Sequence, residues 1–149
     1  MPGTRTLAII KPDALESGKA GKILALLESS GFKVRASRML RLAQPQAGAF
    51  YGVHRERPFF APLTAFMTSG PCMPLVLERD NAVLALRDAI GATDPKEARD
   101  GTVRKLYAES KERNAIHASD SDENAEREIR FFFSDVDLLA AWQVDAIQN

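Results

Sequence analysis

The chain has 149 residues, 45% of them hydrophobic, with twenty basic side chains balanced by twenty acidic ones. That size suits one compact domain able to bury about two-thirds of the surface its unfolded chain exposes, and the balanced charge excludes a global field drawing it to nucleic acid or an anionic membrane. A single Cys72 excludes an intrachain disulfide, no cysteine–histidine cluster suggests zinc, and no signal-like segment or long apolar run marks a membrane span, so a soluble cytoplasmic protein is expected.

Thr6–Lys11 is a short, almost continuously apolar run stopped by Pro12, the pattern of a strand buried on both faces, with Lys11 emerging at its end. Gly18-Lys19-Ala20-Gly21-Lys22-Ile23 has too few residues between its glycines, and no hydroxyl after its second lysine, to be a Walker phosphate loop. It reads as a helix start: Ile23, Leu26 and Leu27 recur at helical spacing, and Gly31 closes the helix as a left-handed cap. Phe32, Val34 and Ala36 alternate with Lys33, Arg35 and Ser37 as a half-buried strand that continues irregularly through Leu42, with a bulge expected near Arg38. Pro45 opens a helix through Tyr51, and Pro58 opens another in which Phe59, Leu63, Phe66 and Met67 keep helical spacing up to Gly70. Joined at His54–Arg57, the two make a helical hairpin.

Met73–Leu77 reads as a strand, and Pro74 within it predicts an edge position or a locally unpaired site. Ala82, Val83 and Leu86 stripe a helix that ends near Gly91, and a polar loop follows to Asp100. Leu106–Lys111 is helix-like, and a last helix over Glu123–Phe133 has Asp122 and Glu123 at its positive end. Between these two lies Asn114-Ala115-Ile116-His117-Ala118-Ser119-Asp120-Ser121, which gathers an imidazole, an amide, hydroxyls and a carboxylate. An imidazole, with an ordinary pKa of about 6.5, is both base and nucleophile near neutral pH. Taken alone, His117 is open between a satisfied structural residue and a catalyst; Arg87, Arg99, Arg104 and Glu128 taken singly read as solvated surface charges.

The stretch resembles the active-site signature of the nucleoside diphosphate kinases, Asn-x-x-His-Gly/Ala-Ser-Asp, and further motifs of that family stand in order along the chain. Thr6–Asp13 resembles its first strand; Phe50-Tyr51 through His54, and Arg57-Pro58-Phe59-Phe60, resemble its nucleotide-binding helices. Phe66–Pro71, Gly91–Pro95 and Gly101-Thr102-Val103-Arg104 complete the set, so the resemblance runs from about Thr4 to Phe133. It implies an α+β fold, the ferredoxin-like α/β sandwich with a four-stranded antiparallel sheet. It also implies an enzyme that moves the γ-phosphate of a nucleoside triphosphate to a nucleoside diphosphate, in ping-pong fashion, through a phosphohistidine on His117.

The same resemblance assigns roles residue by residue. Lys11, Tyr51, Arg87, Thr93 and Arg104 match the family's phosphate contacts, and Lys11 and Asn114 also match contacts to the ribose 3′-hydroxyl. Glu128 matches the carboxylate that orients the histidine, and Ser119 the hydroxyl that steadies that carboxylate. Phe59 matches the base-stacking residue, with Leu63 on the opposite wall; stacking is worth roughly 1–3 kcal/mol per base and does not choose among bases. Mg2+ is expected to be held mainly by the nucleotide phosphates and water, with ATP and other nucleoside di- and triphosphates as ligands and no specific nucleic acid or membrane partner.

Departures from the family pattern are Pro74 within a strand, Arg79 where a turn glycine is common, and Ala118 where glycine is usual, which is expected to narrow the backbone beside His117. Residues 1–133 are taken as the kinase domain and 134–149 as a tail. Its Leu138, Leu139 and Trp142 form an apolar stripe expected to pack on folded protein at or near a subunit interface of a homo-oligomer. The alternative reading is a regulatory module of the same fold that binds a nucleotide without turning it over.

Overall fold

A computed structural model describes residues 3–138. The sheet is built from β1 (Arg5–Ile10), β2 (Lys33–Ser37), β3 (Met73–Glu78) and β4 (Ile116–Ala118), in the order β2-β3-β1-β4 with every neighbouring pair antiparallel. The helices are α1 (Pro12–Glu16), α2 (Ala20–Ser29), α3 (Gln44–Phe50), α4 (Phe60–Met67), α5 (Ala82–Ile90), α6 (Val103–Tyr107), α7 (Asp122–Phe132) and α8 (Asp135–Leu138). This strand order with helices against it is the ferredoxin-like sandwich that the resemblance implies.

Why β1 is apolar throughout follows from its neighbours. Successive side chains of a strand point to opposite faces. Ala8 and Ile10 pack with Ile23, Leu27, Leu86 and Ile90, while Leu7 and Ile9 pack with Ala47, Phe50, Ile129 and Phe132. Both faces are therefore covered, and β1, paired with β3 on one edge and β4 on the other, runs through the middle of the molecule. In β4, Ile116 and Ala118 belong to the first of these layers, so alternation turns His117 to the opposite face, where Phe50 and Tyr51 stand edge-on to it with ring centroids at 5.5 and 6.1 Å.

Several expectations need correction. Of the two places expected for Pro74, the edge is wrong and the locally unpaired site is right: β3 lies between β2 and β1, and Pro74 stands opposite Ile9. The missing N–H is tolerated because the β2 ladder breaks there; β2 ends at Ser37, Arg38 N–H donates to the Pro74 carbonyl at 3.2 Å, and pairing resumes as a bridge between Leu40 and Cys72. The irregularity of β2 falls between Val34 and Ala36, not near Arg38. Pro12 does more than stop β1: it is the first residue of α1, where a proline's fixed φ suits a helix start. Pro58 precedes its helix, and Phe59 occupies the N-cap position, half exposed.

The helix expected over Leu106–Lys111 runs instead from Val103 to Tyr107, capped by Thr102, whose hydroxyl accepts from Lys105 N–H. Ala118 has an ordinary strand backbone; among the described residues the left-handed conformations of non-glycine residues are at Asn81 (φ 54) and Ala115 (φ 75). Arg79 needs no glycine either, since the turn's left-handed residue is Asn81. Among the tail residues, α8 forms and Leu138 is buried in the core layer of Phe132 and Phe133. Leu139, Trp142 and the rest of the stripe lie outside the described residues. No helix among the described residues is long and apolar enough to cross a membrane.

Candidate active site

β4 and α7 create the centre of the site between them. The segment after β4 ends at Ser121, whose hydroxyl caps α7 by accepting from Asn124 N–H at 3.0 Å. Asp122 and Glu123 in the first turn favour the same start, by interaction with the helix dipole. Nearly two turns on, Glu128 is on the helix face that also buries Ala125, Ile129 and Phe132. A glutamate there is 6% exposed, and its Oε1 stands 2.6 Å from His117 Nε2 and accepts from Ser119 Oγ at 2.9 Å.

A carboxylate can only accept, so Nε2 carries the imidazole hydrogen and the lone pair is on Nδ1. Nδ1 has no hydrogen-bond partner among the described residues. Burial holds the His117 pKa below its ordinary 6.5; the Glu128 hydrogen bond and charge oppose that shift, and the Lys11 and Arg104 charges add to it. The ring is neutral at pH 7 and about a fifth of it remains exposed, 19% by area.

Lys11 is 7% exposed at the end of β1, where its Nζ donates to Asn114 Oδ1 at 2.8 Å. Burial, reinforced by the positive Arg104, lowers its pKa to about 8, with Asp13 pulling the other way. Arg104 is fixed by backbone carbonyls: Nη2 donates to Ile116 at 2.8 Å, Nη1 to Gly91 at 3.1 Å and Nε to Asn114 at 3.4 Å. Burial, and then Arg87, lower its pKa to about 10, so it stays charged. Tyr51 has the opposite need. Its buried hydroxyl has no hydrogen-bond partner among the described residues, and burial pushes its pKa far up, leaving a protonated donor with nothing to donate to.

Two clefts divide the sequence-singled residues. Lys11, Tyr51, Phe59, Leu63, His117 and Glu128 line one of about 160 Å³. Arg87, Thr93 and Arg104 line a larger one of about 550 Å³, with Gly91 and Arg99. Arg104 belongs to both surroundings, because its guanidinium grips the carbonyls of Asn114 and Ile116 while facing Arg87's cleft. Asn114 and Ser119 are buried behind the first cleft and touch it through Lys11 and Glu128.

Phe50, Val53, His54 and Arg127 also line the first cleft. The first three lie in the stretch that resembles the family's nucleotide-binding helices, though the resemblance assigns no role to them singly, and nothing in the sequence points to Arg127; His54 and Phe59 flank the same helical hairpin and bring their rings to 5.2 Å. Arg127 lies next to Glu128, with Nη2 at 3.7 Å from its Oε2.

The arrangement has the parts that moving a charged group to a nitrogen needs: a neutral oriented nucleophile, an unused buried donor, fixed cations and an exposed aromatic face beside an opening. Comparison with known proteins agrees. The profile of the family described as nucleoside diphosphate kinase matches residues 4–138. A nucleoside diphosphate kinase of Chlorobium limicola is 55% identical over 130 residues, covering 87% of this chain and 93% of that protein; one of Gluconacetobacter diazotrophicus is 52% identical over 139 residues, covering 93% and 99%. The crystal structure of the Aquifex aeolicus nucleoside diphosphate kinase superposes with a TM-score of 0.86 at 49% identity, over 88% of this chain and 95% of that one. A nucleoside diphosphate kinase family protein from Babesia bovis superposes at 0.84 with 32% identity, over 89% and 90%. With its His117–Glu128–Ser119 chain in a sandwich of this topology, the protein belongs to the nucleoside diphosphate kinase family.

Proposed function

We propose that the protein transfers the γ-phosphate of a nucleoside triphosphate to a nucleoside diphosphate by a ping-pong mechanism through a phosphohistidine on His117. The observation that carries this reading is the His117–Glu128 contact, which leaves the Nδ1 lone pair available on a neutral ring. Nδ1 attacks the γ-phosphorus, the bond to the β,γ-bridging oxygen breaks, and the nucleoside diphosphate leaves with that electron pair. In the second half-reaction a β-phosphate oxygen of another nucleoside diphosphate attacks the same phosphorus and the ring nitrogen departs. Donor and acceptor differ only in base and sugar, so one pocket serves both.

Glu128 becomes a stronger partner as positive charge develops on the ring, and Ser119 fixes that carboxylate. Lys11, Arg87 and Arg104 compensate charge on the phosphate oxygens, with the Tyr51 hydroxyl as a neutral donor and Thr93 beside them. Asn114, through Lys11, serves the ribose 3′-hydroxyl. Phe59, 48% exposed, offers its face to any base, and Leu63 forms the opposing wall. Broad base tolerance follows.

Among the described residues, no three His, Cys, Asp or Glu side chains gather where they could hold a metal ion. Cations and neutral donors line the clefts with only the separate carboxylates Asp88, Glu97 and Glu128 among them, a set that fits Mg2+ brought on the nucleotide's own phosphates. The ion supplies positive charge to the β- and γ-oxygens when bound. The protein acts in the cytoplasm as a homo-oligomer, with residues 1–133 as the kinase domain and 134–149 as a tail against the domain or a neighbouring subunit.

The test is incubation with γ-labelled ATP. Acid-labile, base-stable label is expected on His117, and His117→Ala is expected to abolish label and turnover while still binding nucleotide. Steady-state transfer by that variant would exclude the covalent route; binding without label in the parent protein would favour a non-catalytic nucleotide-binding module.

A further inference from the structure

Just upstream of His117 the backbone takes a conformation that requires support. Ala115 is fully buried with φ 75, and Ile116 N–H donates across it to the Asn114 carbonyl at 2.9 Å. This is a three-residue turn of the rare, strained hand, which an L side chain adopts only when its surroundings impose it. Those surroundings are one short segment from the other end of the sequence. Lys11 N–H donates to the Ala115 carbonyl at 2.9 Å, and Ala115 N–H donates to Asp13 Oδ2 at 3.1 Å.

Asp13 is an unusual acceptor. It is 3% exposed, it forms no ion pair among the described residues, and its Oδ1 is buried without a hydrogen-bond partner. A carboxylate so placed is unfavourable by itself. A first-turn role in α1 does not explain it, since a helix dipole needs neither burial nor a bond to a residue 102 positions away, and α1 has five residues.

We infer that Asp13 is a positioning residue for the proposed phosphotransfer, its carboxylate holding Ala115 in the left-handed turn and thereby setting Asn114 before it and His117 after it. The inference rests on the function proposed above. Segment 11–13 grips the turn at three points, the third being Lys11 Nζ to Asn114 Oδ1 at 2.8 Å. His117, two residues beyond Ala115, must reach Glu128 within 2.6 Å, so relaxation of the turn moves the nucleophile relative to its orienting carboxylate. Asp13 itself lines neither cleft and touches no reacting atom.

The test uses the full-length protein with Asp13→Ala and Asp13→Asn. Asp13→Ala removes the acceptor, and its single-turnover phosphorylation by γ-labelled ATP is expected to slow by about ten- to hundredfold, the scale of a misplacement near 1 Å, with KM little changed. Asp13→Asn keeps an oxygen for Ala115 N–H and is expected to recover most of that rate. Amide exchange gives a readout independent of chemistry: Ala115 N–H is expected to exchange slowly in the parent protein and in Asp13→Asn.

An undiminished rate in Asp13→Ala, a loss confined to KM, an Asp13→Asn as slow as Asp13→Ala, or fast Ala115 exchange in the parent would each overturn the inference. Should Asp13→Ala fail to fold, Asp13→Asn and the parent's exchange decide. If the parent takes no label, the proposed function fails, and the exchange measurements still judge the turn.

Discussion

Glu128 shows how much one hydrogen bond can be asked to do. Its Oε1 accepts from both His117 and Ser119, so a single oxygen fixes the ring's tautomer and its orientation. Glu128→Gln is expected to leave nucleotide affinity nearly unchanged and to slow single-turnover phosphorylation by about ten- to a hundredfold, because an amide cannot stabilise the developing imidazolium as a carboxylate does. Rapid-quench measurement with equal rates for both proteins would remove Glu128 from the chemistry.

Lys11 yields a second prediction. Its pKa is about 8 in the folded protein against an ordinary 10.5. Between those values the unfolded chain binds the extra proton, so this group makes the protein more stable as pH rises from about 8 to about 10.5; below 8 the full penalty of the buried charge is present. A bound phosphate favours the ammonium. Nucleoside diphosphate binding at pH 9 is therefore expected to take up close to one proton at Lys11, read by calorimetry in buffers of different ionisation enthalpy, and Lys11→Met is expected to lose that uptake. Zero uptake in the parent would show that Lys11 does not titrate with binding. Lys11 and Glu128 were legible in the sequence only through their motifs, and Asp13's grip on Ala115 was not, because local pattern does not show which distant backbone N–H a carboxylate will meet.

At the scale of elements, the join between α5 and α6 decides where two arginines stand. Arg87 is in the last turn of α5 and Arg104 in the first turn of α6, and the Gly91 carbonyl accepts from Arg104 Nη1 at 3.1 Å. Gly91 has φ 85, and a Cβ there would meet Thr102 Oγ1 at 2.6 Å and Thr102 Cβ at 2.8 Å. Both the hand of the backbone and the close approach require glycine. Gly91→Ala is expected to destabilise the fold by about 1–3 kcal/mol and to reduce kcat more than that loss of folded protein explains, as Arg104 is displaced. Thermal melting together with kcat per folded molecule checks this; a variant with lowered melting temperature and full kcat would separate Gly91 from the site.

Helical stripes and the two-faced β1 could be read from periodicity because burial imposes it. Pro74 could be read as an edge or a locally unpaired site, but not which of the two, since a proline in a central strand is permitted by the end of β2 opposite it, a property of the neighbour and not of the strand itself. The end of the Leu106 helix escaped for a similar reason: Thr102 caps α6 early, and a loop bonded to Arg113, not helical spacing, governs residues 108–113.

For the molecule as a whole, the sheet order and the two core layers make the site a product of chain ends brought together: β1, from the start of the sequence, lies between the central β3 and the late β4. That closure extends to α8. Leu138 is 6% exposed among Leu7, Phe132 and Phe133, and Ser134, at the start of this segment, has its N–H and hydroxyl bonded to Asp137 Oδ2 at 2.9 and 3.0 Å. The tail thus begins as part of the core before it leaves the described residues. Leu138→Ala is expected to cost about 2–4 kcal/mol, the range for truncating a buried leucine, which lowers the melting temperature by roughly 5–15 °C for a chain of this size. Ending the chain at Phe133 removes that contact together with Leu139 and Trp142, the residues of the expected apolar stripe. Light scattering then separates two roles: a stripe seated on a neighbouring subunit predicts a fall in assembly mass for the shortened chain and an unchanged mass for Leu138→Ala, whereas equal masses for all three proteins, with lowered melting in both variants, would confine the tail's contribution to its own subunit.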